Sequence, residues 1–505
     1  MANKIDSNAT GLYIAEETSL KTLPVTPIWY QVCPNSYSGF GSTLTNTARK
    51  CIEPSRQTKK GVITDLDATG GLNLDFTHSN QQRLLQGFLF ADAHEKFSTA
   101  PFNGTLVPIT AVSDVDDSYS AGSALNNFVA DDIVFASGFT NATNNGVSIV
   151  ETSSATKITV SKTLVTEASP ASTSKLEKVG FQFSAGDLAL TASASGVSLT
   201  STVKDLRQLG LNIGEFIFLG GDVALNRFSN NVGFGRVLSI AQNEIVLDET
   251  TFTPVTEVGG VKEIQLFYGN FLRNEKTPSL IKRRSYQLMR TLGEDSVGTM
   301  SEYLEGSIPN EFSLKLAQAD KINADISFVA MDHSQRNGTV GIKSGTIVTS
   351  ANEPAINTSS DIYRIKMSIQ DPASINKDAL FAYLEDVELS IANNIEPIKA
   401  IGILGAFDAS TGDFEVSGSL TAFFSTIEAV QAIRNNADVG INVIASQNNK
   451  GFYFDAPLVS LSSEGLEVDM NTPIKISIDS TATECTNGYT IAMGFFNYLP
   501  TIAMP

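Results

Sequence analysis

Histidine and cysteine, on which many enzyme and metal sites depend, are scarce in this sequence. The 505 residues contain three of each: His78, His94, His333, Cys33, Cys51 and Cys485. No histidine stands in an H-E-x-x-H or other metal-ligand spacing, and no two cysteines form a C-x-x-C pair. We therefore expect neither a zinc site nor a disulfide framework.

The motifs of the common catalytic folds are also missing. There is no G-x-S-x-G elbow, no Walker loop and no G-x-G-x-x-G that opens a helix. Asp332 stands beside His333, but adjacency is weak evidence for a catalytic pair, because triads assemble across a fold. Asp65 and Asp67 alternate with apolar Leu66, which is more typical of the wet face of a strand than of a metal site. The sequence predicts a protein that is not an enzyme and has no cofactor or metal.

Long apolar runs and basic residues are the other two deficits. No apolar run approaches the ~20 residues of a membrane-spanning helix, and 1–10 lack the basic and apolar segments of a secretory signal. Thirty-five Lys and Arg stand against fifty-four Asp and Glu, for a net charge of −19. Nucleic-acid binding by counterion release needs clustered basic residues. The excess of acidic residues therefore excludes a protein that binds DNA over its whole surface.

What remains is the composition of a globular chain with many strand patterns. At about 150 residues per domain, the length predicts two to four domains. Val62-Ile63 and the alternating run 72–76 flank Gly70-Gly71, so we predict a β-hairpin that turns at the two glycines. Ser79 then follows as the N-cap of a helix with apolar residues at helical spacing.

The same hairpin-then-helix order recurs near the C-terminus. The apolar run 401–404 leads to a turn at 408–412 and an alternating run at 414–420. Ser425 and Glu428 then form a capping box, 346 residues after Ser79. A third strand pair is predicted at 312–316 and 326–329, where apolar and polar residues alternate.

The middle of the chain contains a different repeat. The segments 133–138, 144–146, 158–160 and 165–167 match 216–221, 230–233, 245–247 and 255–257, at spacings of 83 to 90 residues. This regular spacing predicts two small all-β modules, at about 125–170 and 210–258. The Ser/Thr/Ala-rich stretches 113–123, 169–174 and 191–201 are predicted to be loops or linkers.

One basic island interrupts the acidic chain. Its members are Arg273, Lys276, Lys282, Arg283, Arg284 and Arg290. We interpret it as a surface that forms salt bridges with an acidic neighbouring subunit, because an acidic protein that self-assembles must overcome its own repulsion. A nucleic-acid patch and a solvated face are the alternatives.

Several short motifs together resemble a known family. They are N-A-T-G-L-Y-I-A-E-E at 8–17, T-P-I-W at 26–29, P-S-R-Q at 54–57, the G-G-L-N-L-D-F strand at 70–76, G-D-F-E-V-S-G at 412–418 and F-F-N-Y-L-P at 495–500. In order and spacing they resemble the major tail tube proteins of long-tailed bacteriophages, over roughly 20–100 and 262–500. The length of the chain is the main departure, since many tube proteins are much shorter.

The resemblance implies a mainly β fold, a tail-tube β-barrel or sandwich with a flanking α-helix, and a structural role. Copies would close into rings, and rings would stack into a tube through which DNA passes without sequence-specific binding. The implied partners are further copies of the chain, the tape measure protein, the tail terminator and distal tail proteins. The implied location is the virion tail, after synthesis in the host cytoplasm.

The resemblance also implies a division of the chain and a count of chains. Residues 1–100 and 262–505 would form the tube core, and 101–261 would be an inserted decoration region that contains the two β repeats. Removing the insert leaves about 344 residues, about twice a lone tube domain of roughly 170 residues. We therefore favour two fused tube domains and a ring of three chains with six-fold-like symmetry; six chains of one elaborated domain is the alternative.

An acidic channel wall would give DNA nothing to adhere to, because DNA is itself densely negative. We expect the strand-borne carboxylates to include groups that line the channel: Asp65, Asp67, Asp75, Asp413 and Glu415. That these carboxylates face outside water is the alternative. A different role, as a phage or surface adhesin whose repeats bind glycans, is the alternative to the tube.

Overall fold

The computed structural model of the chain is mainly β, as predicted. It describes residues 5–52, 54, 57–194, 196–370, 379–381, 383–424, 426–468 and 470–505. Two sheets dominate, one of 17 strands and one of 13, and a two-stranded ribbon accompanies them.

The elements follow one another along the chain with few helices between them. The first strands and helix are β1 Gly11–Glu16, β2 Ile28–Val32, β3 Pro34–Arg49, β4 Lys59–Asp75 and α1 Gln82–Phe88. The strands of the 13-stranded sheet are β5 Ile109–Ser113, β6 Ser118–Ala121, β7 Asp132–Ser137, β8 Gly146–Ser153, β9 Lys157–Val160, β10 Lys175–Gln182, β11 Ala189–Ala192, β12 Val197–Thr200, β13 Phe216–Leu219, β14 Gly233–Ile240, β15 Glu244–Thr250, β16 Glu257–Val258 and β17 Gln265–Phe267. The remaining elements are β18 Asn270–Arg273, β19 Tyr286–Glu294, β20 Thr299–Ala317, β21 Asn323–Ala330, β22 Asp332–Arg336, β23 Thr346–Val348, β24 Ile362–Ile369, β25 Leu384–Ala392, β26 Ile395–Lys399, β27 Ala406–Thr411, β28 Glu415–Phe423, α2 Glu428–Arg434, β29 Val439–Gln447, β30 Lys450–Glu467, β31 Lys475–Ala482 and β32 Ala492–Phe496.

The 17-stranded sheet, which we call the core sheet, contains one strand order twice. In the first copy, hydrogen-bonded neighbours run β1–β19–β20–β21–β4–β3. In the second copy they run β24–β29–β30–β31–β28–β25. Each copy has a seven-residue helix in the same place, α1 after β4 and α2 after β28. The two copies join where β20 pairs with β25.

Alternation of apolar and polar residues explains why these segments form strands with one buried face. In β20 and β21, Phe312 lies opposite Ile326 and Leu314 opposite Ala324, and all four side chains are buried. The residues between them point the other way, as the period of two in a strand requires. The strand pair predicted at 312–316 and 326–329 is thus confirmed. Among the residues described above, no helix has the length and apolar character needed to cross a membrane.

The prediction of a turn at Gly70-Gly71 is wrong. β4 runs through both glycines without a break and pairs with β3 on one side and β21 on the other. Their role is close packing: an added Cβ would lie 2.7 Å from Leu304 Cδ1 at Gly70 and 2.3 Å from the Ser38 carbonyl oxygen at Gly71. Glycine is needed for such approaches as well as for turns.

The predicted helix after β4 exists, but Ser79 does not cap it. The helix begins at Gln82, and the backbone N–H and Oγ of Ser79 both donate to Glu353, at 2.9 and 2.8 Å. In the second copy the turn lies at 400–405, between β26 and β27, and the segment predicted as the turn lies mostly within β27. The helix that follows is confirmed as α2, whereas Ser425 of the expected capping box lies outside the described residues.

The 13-stranded sheet also contains one strand order twice. Neighbours run β5–β6–β9–β8–β7–β10 and then β11–β12–β15–β14–β13–β17. Each repeat starts earlier than predicted, because 113–123 and 191–201 are not loops and contain strands of the first hairpin of each repeat. Tyr119, Val197 and Leu199 are buried in these hairpins, so the small polar residues around them fill the outward positions.

A hydrogen-bonded clasp recurs in both repeats. The side chain of Asn144 donates to the Val165 carbonyl at 2.9 Å and to Glu167 at 3.0 Å, and accepts the Val165 N–H at 2.9 Å. Asn231 makes the same bonds with Val255 and Glu257, at 2.8, 3.1 and 2.9 Å. The matched motifs of the sequence therefore mark matched contacts.

A buried ionic network joins the second repeat to the core sheet. Arg236 of β14 contacts Asp248 at 2.7 Å and Asp455 of β30 at 3.1 Å. Glu249 of β15 contacts Arg364 of β24 at 3.0 Å. Burial raises the pKa of Asp455 to about 6, although the nearby Arg236 guanidinium acts to lower it. We call these residues the junction network.

We predict that Arg236→Ala destabilises the chain by about 3–5 kcal/mol, because it leaves a buried carboxylate without its cation. Raising the pH through 6 ionises Asp455, so the loss should be larger at pH 8 than at pH 5. Urea unfolding followed by circular dichroism measures both values.

Arg207→Ala is the control, because Arg207 forms a mostly exposed pair with Asp205. Such a pair contributes about 1 kcal/mol or less. Equal losses in the two variants, or a loss at Arg236 that does not depend on pH, would contradict the account of the junction network.

Candidate assembly surfaces

Over six strands of the core sheet, one of the two faces receives no layer of apolar side chains from the described residues. Across β4, β21, β20, β25, β28 and β31, alternate residues such as Leu72, Leu389 and Ile478 are buried in a common core. The residues between them, within 65–75 of β4 and 311–317 of β20, point to the opposite side and are exposed or half-buried, apart from Gly71. They are mostly Ser, Thr, Asn, Asp and Glu, and we call this side the acidic face.

Carboxylates outnumber lysines on the acidic face. The carboxylates are Asp75, Glu311, Asp325, Asp386, Glu388, Glu415 and Asp479. The lysines are Lys315 and Lys475. Lys315 lies 3.0 Å from Asp325 and 3.8 Å from Glu388, so it bridges two strands without cancelling the negative charge of the face.

Two carboxylates of the face, Asp75 and Asp325, are held ionised by their neighbours. Partial burial raises the pKa of Asp325, but hydrogen bonds from Asn73 and Lys315 outweigh it and hold the pKa below its ordinary value. The same balance at Asp75, with Lys321 and Asn35 as donors, also leaves its pKa lowered. Both groups therefore carry a negative charge at neutral pH.

The structure distributes the predicted channel carboxylates over three places. Asp75 and Glu415 lie on the acidic face. Asp65 and Asp67 lie on the same side of β4, but beyond the end of β21, where Lys399 of β26 contacts them at 2.7 and 2.5 Å. Hydrogen bonding to Lys399 lowers the pKa of Asp65. Asp413 is exposed between β27 and β28, and its carbonyl accepts a bond from Asn394.

Most of the basic island is paired within the chain. The contacts are Arg273–Glu275 at 3.4 Å, Lys276–Glu484 at 2.5 Å, Arg283–Asp408 at 2.8 Å, Arg284 with Glu16 and Asp92, and Arg290 with Glu302. Lys282 is exposed and makes no ion pair with the described part of the chain. The island thus contributes to intrachain bridges, which the sequence did not indicate.

The histidines have structural neighbours. The ring of His333 contacts Ser42 at 2.9 Å and Glu302 at 3.1 Å, so Glu302 rather than Asp332 orients it. His94 contacts Glu275 at 2.8 Å. Burial lowers the pKa of His78 to about 3. Within the described residues, no three His, Cys, Asp or Glu side chains cluster as metal ligands would.

Two ribbons extend beyond the core sheet at one end. We call 41–49 of β3 with 59–67 of β4 the first arm, and β26 with β27 the second arm. The first arm extends about 30 Å past the end of β21, at about 3.3 Å per residue. Both carry exposed apolar side chains, including Leu44 at 50%, Val62 at 66% and Ile401 at 107% of full exposure. Two-stranded ribbons are marginally stable alone in water, so these arms are suited to contact another molecule.

The tip of the first arm is a basic site that the sequence analysis missed. Arg49, Lys50 and Lys60 are exposed and form no ion pair with any residue the structure describes. The sequence contains a signal for this basic site, because basic residues flank the loop that connects two strand patterns. At the opposite end of the same strands, Asp320, Asp386, Glu428 and Glu467 are exposed, and none is paired with a described basic side chain. The two ends of the sheet therefore differ in charge.

A comparison with protein-family models gives a match over nearly the whole chain. The family described as phage tail tube protein matches residues 7–482. No curated relative matches the chain. The family match supports a structural tail role and gives no support to the adhesin alternative.

We predict that Lys399→Ala loosens the second arm, because Lys399 is the cation that ties it to Asp65 and Asp67. Hydrogen exchange of 395–411, followed by mass spectrometry, should become faster while the rest of the sheet is unchanged. Lys315→Ala removes a comparable exposed bridge elsewhere and should leave 395–411 unaffected. Unchanged exchange in the Lys399 variant would show that the bridge does not hold the arm.

Proposed function

The chain belongs to the phage tail tube protein family, and we propose that its copies close into rings that stack into the hollow tube of a phage tail. Membership makes it a structural component of the virion tail. The proposal concerns how this chain performs that role. The observation that carries it is the repeated six-strand order, which joins the two copies into one continuous sheet and aligns the polar sides of β4, β21, β20, β25, β28 and β31.

We propose that each chain supplies two tube units. The first consists of β1, β3, β4 and β19–β21, and the second of β24, β25 and β28–β31. On this division the core is 1–100 with 262–505 and 101–261 is an insertion between two strands of the first unit, except that β17 at Gln265–Phe267 pairs within the 13-stranded sheet and belongs with the insertion. Three chains then supply six units to a ring, which favours the three-chain ring over six chains.

The acidic face is the proposed channel wall. The opposite face of the sheet is buried in the core, so the acidic face is the side left for a lumen. A wall rich in ionised carboxylates and hydroxyl groups repels the phosphate backbone of DNA. DNA can therefore pass along it during ejection without being retained.

The ends of the sheet are the proposed stacking surfaces. The basic tip of the first arm and the acidic opposite end have complementary charge, and both lie along the strand direction. A head-to-tail contact of this type repeats without closing and so builds a tube. The tape measure protein inside the tube, and the terminator and distal tail proteins at its ends, are the proposed further partners, with assembly in the host cytoplasm.

The insertion is proposed to decorate the tube exterior. The junction network ties its second repeat to β24 and β30, and an apolar cluster that includes Phe216, Phe234 and Tyr453 spans the same boundary. It is therefore held to the core as a rigid part.

Electron microscopy of the concentrated protein in negative stain tests the proposed function. We expect rings with a central hole and, as charge attraction between rings strengthens at low salt, stacked tubes. Three-fold outlines support two units per chain, whereas smooth six-fold rings support one. Monomers at every salt and protein concentration would contradict self-assembly.

A charge-reversal variant tests the channel wall. Ser417→Lys with Asp479→Lys places cations on the acidic face, so its tubes should hold short duplex DNA and protect it from nuclease at low salt. Ser172→Lys with Glu151→Lys makes the same change of charge on the insertion and should protect none. Equal protection by the two variants would contradict the assignment of the acidic face to the channel.

A further inference from the structure

Two long strands of the core sheet each have a backbone edge without a partner. In the part of the chain that the structure describes, β3 pairs with β4 alone, and 460–467 of β30 pair with β31 alone. Long unpaired edges are liable to uncontrolled association unless another element covers them. These two edges need a partner from outside the chain.

A strand pairing within the chain shows what kind of contact would cover these two edges. Where its two units meet, β20 pairs antiparallel with β25, from Glu311 opposite Ala392 to Ala317 opposite Asp386. In the repeated strand order, β30 occupies the place of β20, and β3 occupies the place of β25. The open edges are thus the counterparts of two edges that are already paired.

We propose that β30 of one chain pairs with β3 of a second copy, in the arrangement that β20 and β25 have within the chain. This inference rests on the proposed function, because it identifies the contact that closes the ring. It extends the acidic face from chain to chain without interruption. Each chain contributes both edges, so the contact is heterologous and closes when the rotation per chain completes a circle.

Side-chain burial supports a missing neighbour at both edges. At the junction within the chain, Leu314, Leu316 and Leu389 are 0–5% exposed. On the open edge of β30, Leu461 is half-buried and Leu466 is 43% exposed. On β3, Tyr37 and Phe40 are half-buried against the same core. Apolar residues that the neighbouring unit covers at the β20–β25 junction have partly exposed counterparts at the open edges of β30 and β3.

The repeated registers fix which residues should face each other. Glu311 lies opposite Ser327 on β21, and Ser462 lies opposite Asp479 at the equivalent place on β31. Ala392 lies opposite Glu415 on β28, and Thr43 lies opposite Asp67 at the equivalent place on β4. Because Glu311 faces Ala392, Ser462 of one chain should face Thr43 of the next.

The same transfer yields a second pair. Lys315 faces Glu388 within the chain. Lys315 lies opposite Asn323, the first residue of β21, and Glu467 lies opposite Lys475, the first residue of β31. Glu467 is therefore the counterpart of Lys315. Ser38 is the counterpart of Glu388 by its place opposite Gly71. Glu467 should therefore face Ser38.

Disulfide cross-linking between chains tests the pairing. Directly opposed residues of antiparallel strands lie about 4.5–5.5 Å apart between Cα atoms, within the range a disulfide requires. In a background of Cys33→Ser, Cys51→Ser and Cys485→Ala, we would make Thr43→Cys with Ser462→Cys, and Ser38→Cys with Glu467→Cys. Oxidation of assembled rings should give covalently linked chains on non-reducing gels.

Mismatched and single-cysteine variants are the controls. Ser38→Cys with Ser462→Cys places the thiols about five residues out of register, roughly 16 Å apart, and should not cross-link. Single variants should also remain unlinked. Rings that form but cross-link at neither matched pair would overturn the pairing and leave the proposed function standing, whereas a parent protein that forms no rings would overturn the proposed function itself.

Hydrogen exchange of the unmodified chain tests the pairing where a cysteine variant does not fold. Assembly should slow exchange of 34–43 and of 460–467 together, by about tenfold or more, because amides that gain a ladder of hydrogen bonds are protected. Rings in which neither segment gains protection would overturn the pairing.

Discussion

The feature on which the rest of the structure depends is the burial of six strands of the core sheet, β4, β21, β20, β25, β28 and β31, on one face only. Residues 311–317 of β20 and 386–392 of β25 alternate strictly, so each segment places Val, Leu, Ile or Phe in a shared core and mainly polar residues on the other side. Burial of the apolar side stabilises the sheet by about 25 cal/mol per Å² removed from water. The polar side follows from the same alternation, and its carboxylates make it acidic.

A sheet built in this way also has open strand edges and charged ends that are available for contacts with other molecules. The repeated strand order joins two units side by side and leaves the outer edges of β3 and β30 open. Two arms project at one end of the strands, and the tip of the first arm is basic. The opposite end of the strands is acidic. Lateral and longitudinal contacts therefore use different parts of the sheet, which is what an assembly that closes in one direction and extends in the other requires.

Strict alternation in the sequence predicted strands well, whereas turns, caps, loops and distant pairing were predicted poorly. Alternation at 312–316 and 326–329 identified strands because a period of two has a direct structural meaning. Gly70-Gly71 was misinterpreted because glycine serves turns and close packing alike, and the neighbour that demands it at Gly70, Leu304, is far away in sequence. The basic island was assigned to another subunit because its acidic partners, such as Glu16 for Arg284, lie up to 268 residues away. The matched Asn motifs succeeded because each clasp closes within about 26 residues.

The most direct measurement is a cryo-electron microscopy reconstruction of the assembled tube. We expect three chains in each ring, with β4, β21, β20, β25, β28 and β31 of each chain arranged around the channel and Ser390 and Ser417 pointing into it. The insertion should stand on the outside. A reconstruction with six chains in each ring, or with Ser390 and Ser417 on the outer wall, would contradict the account.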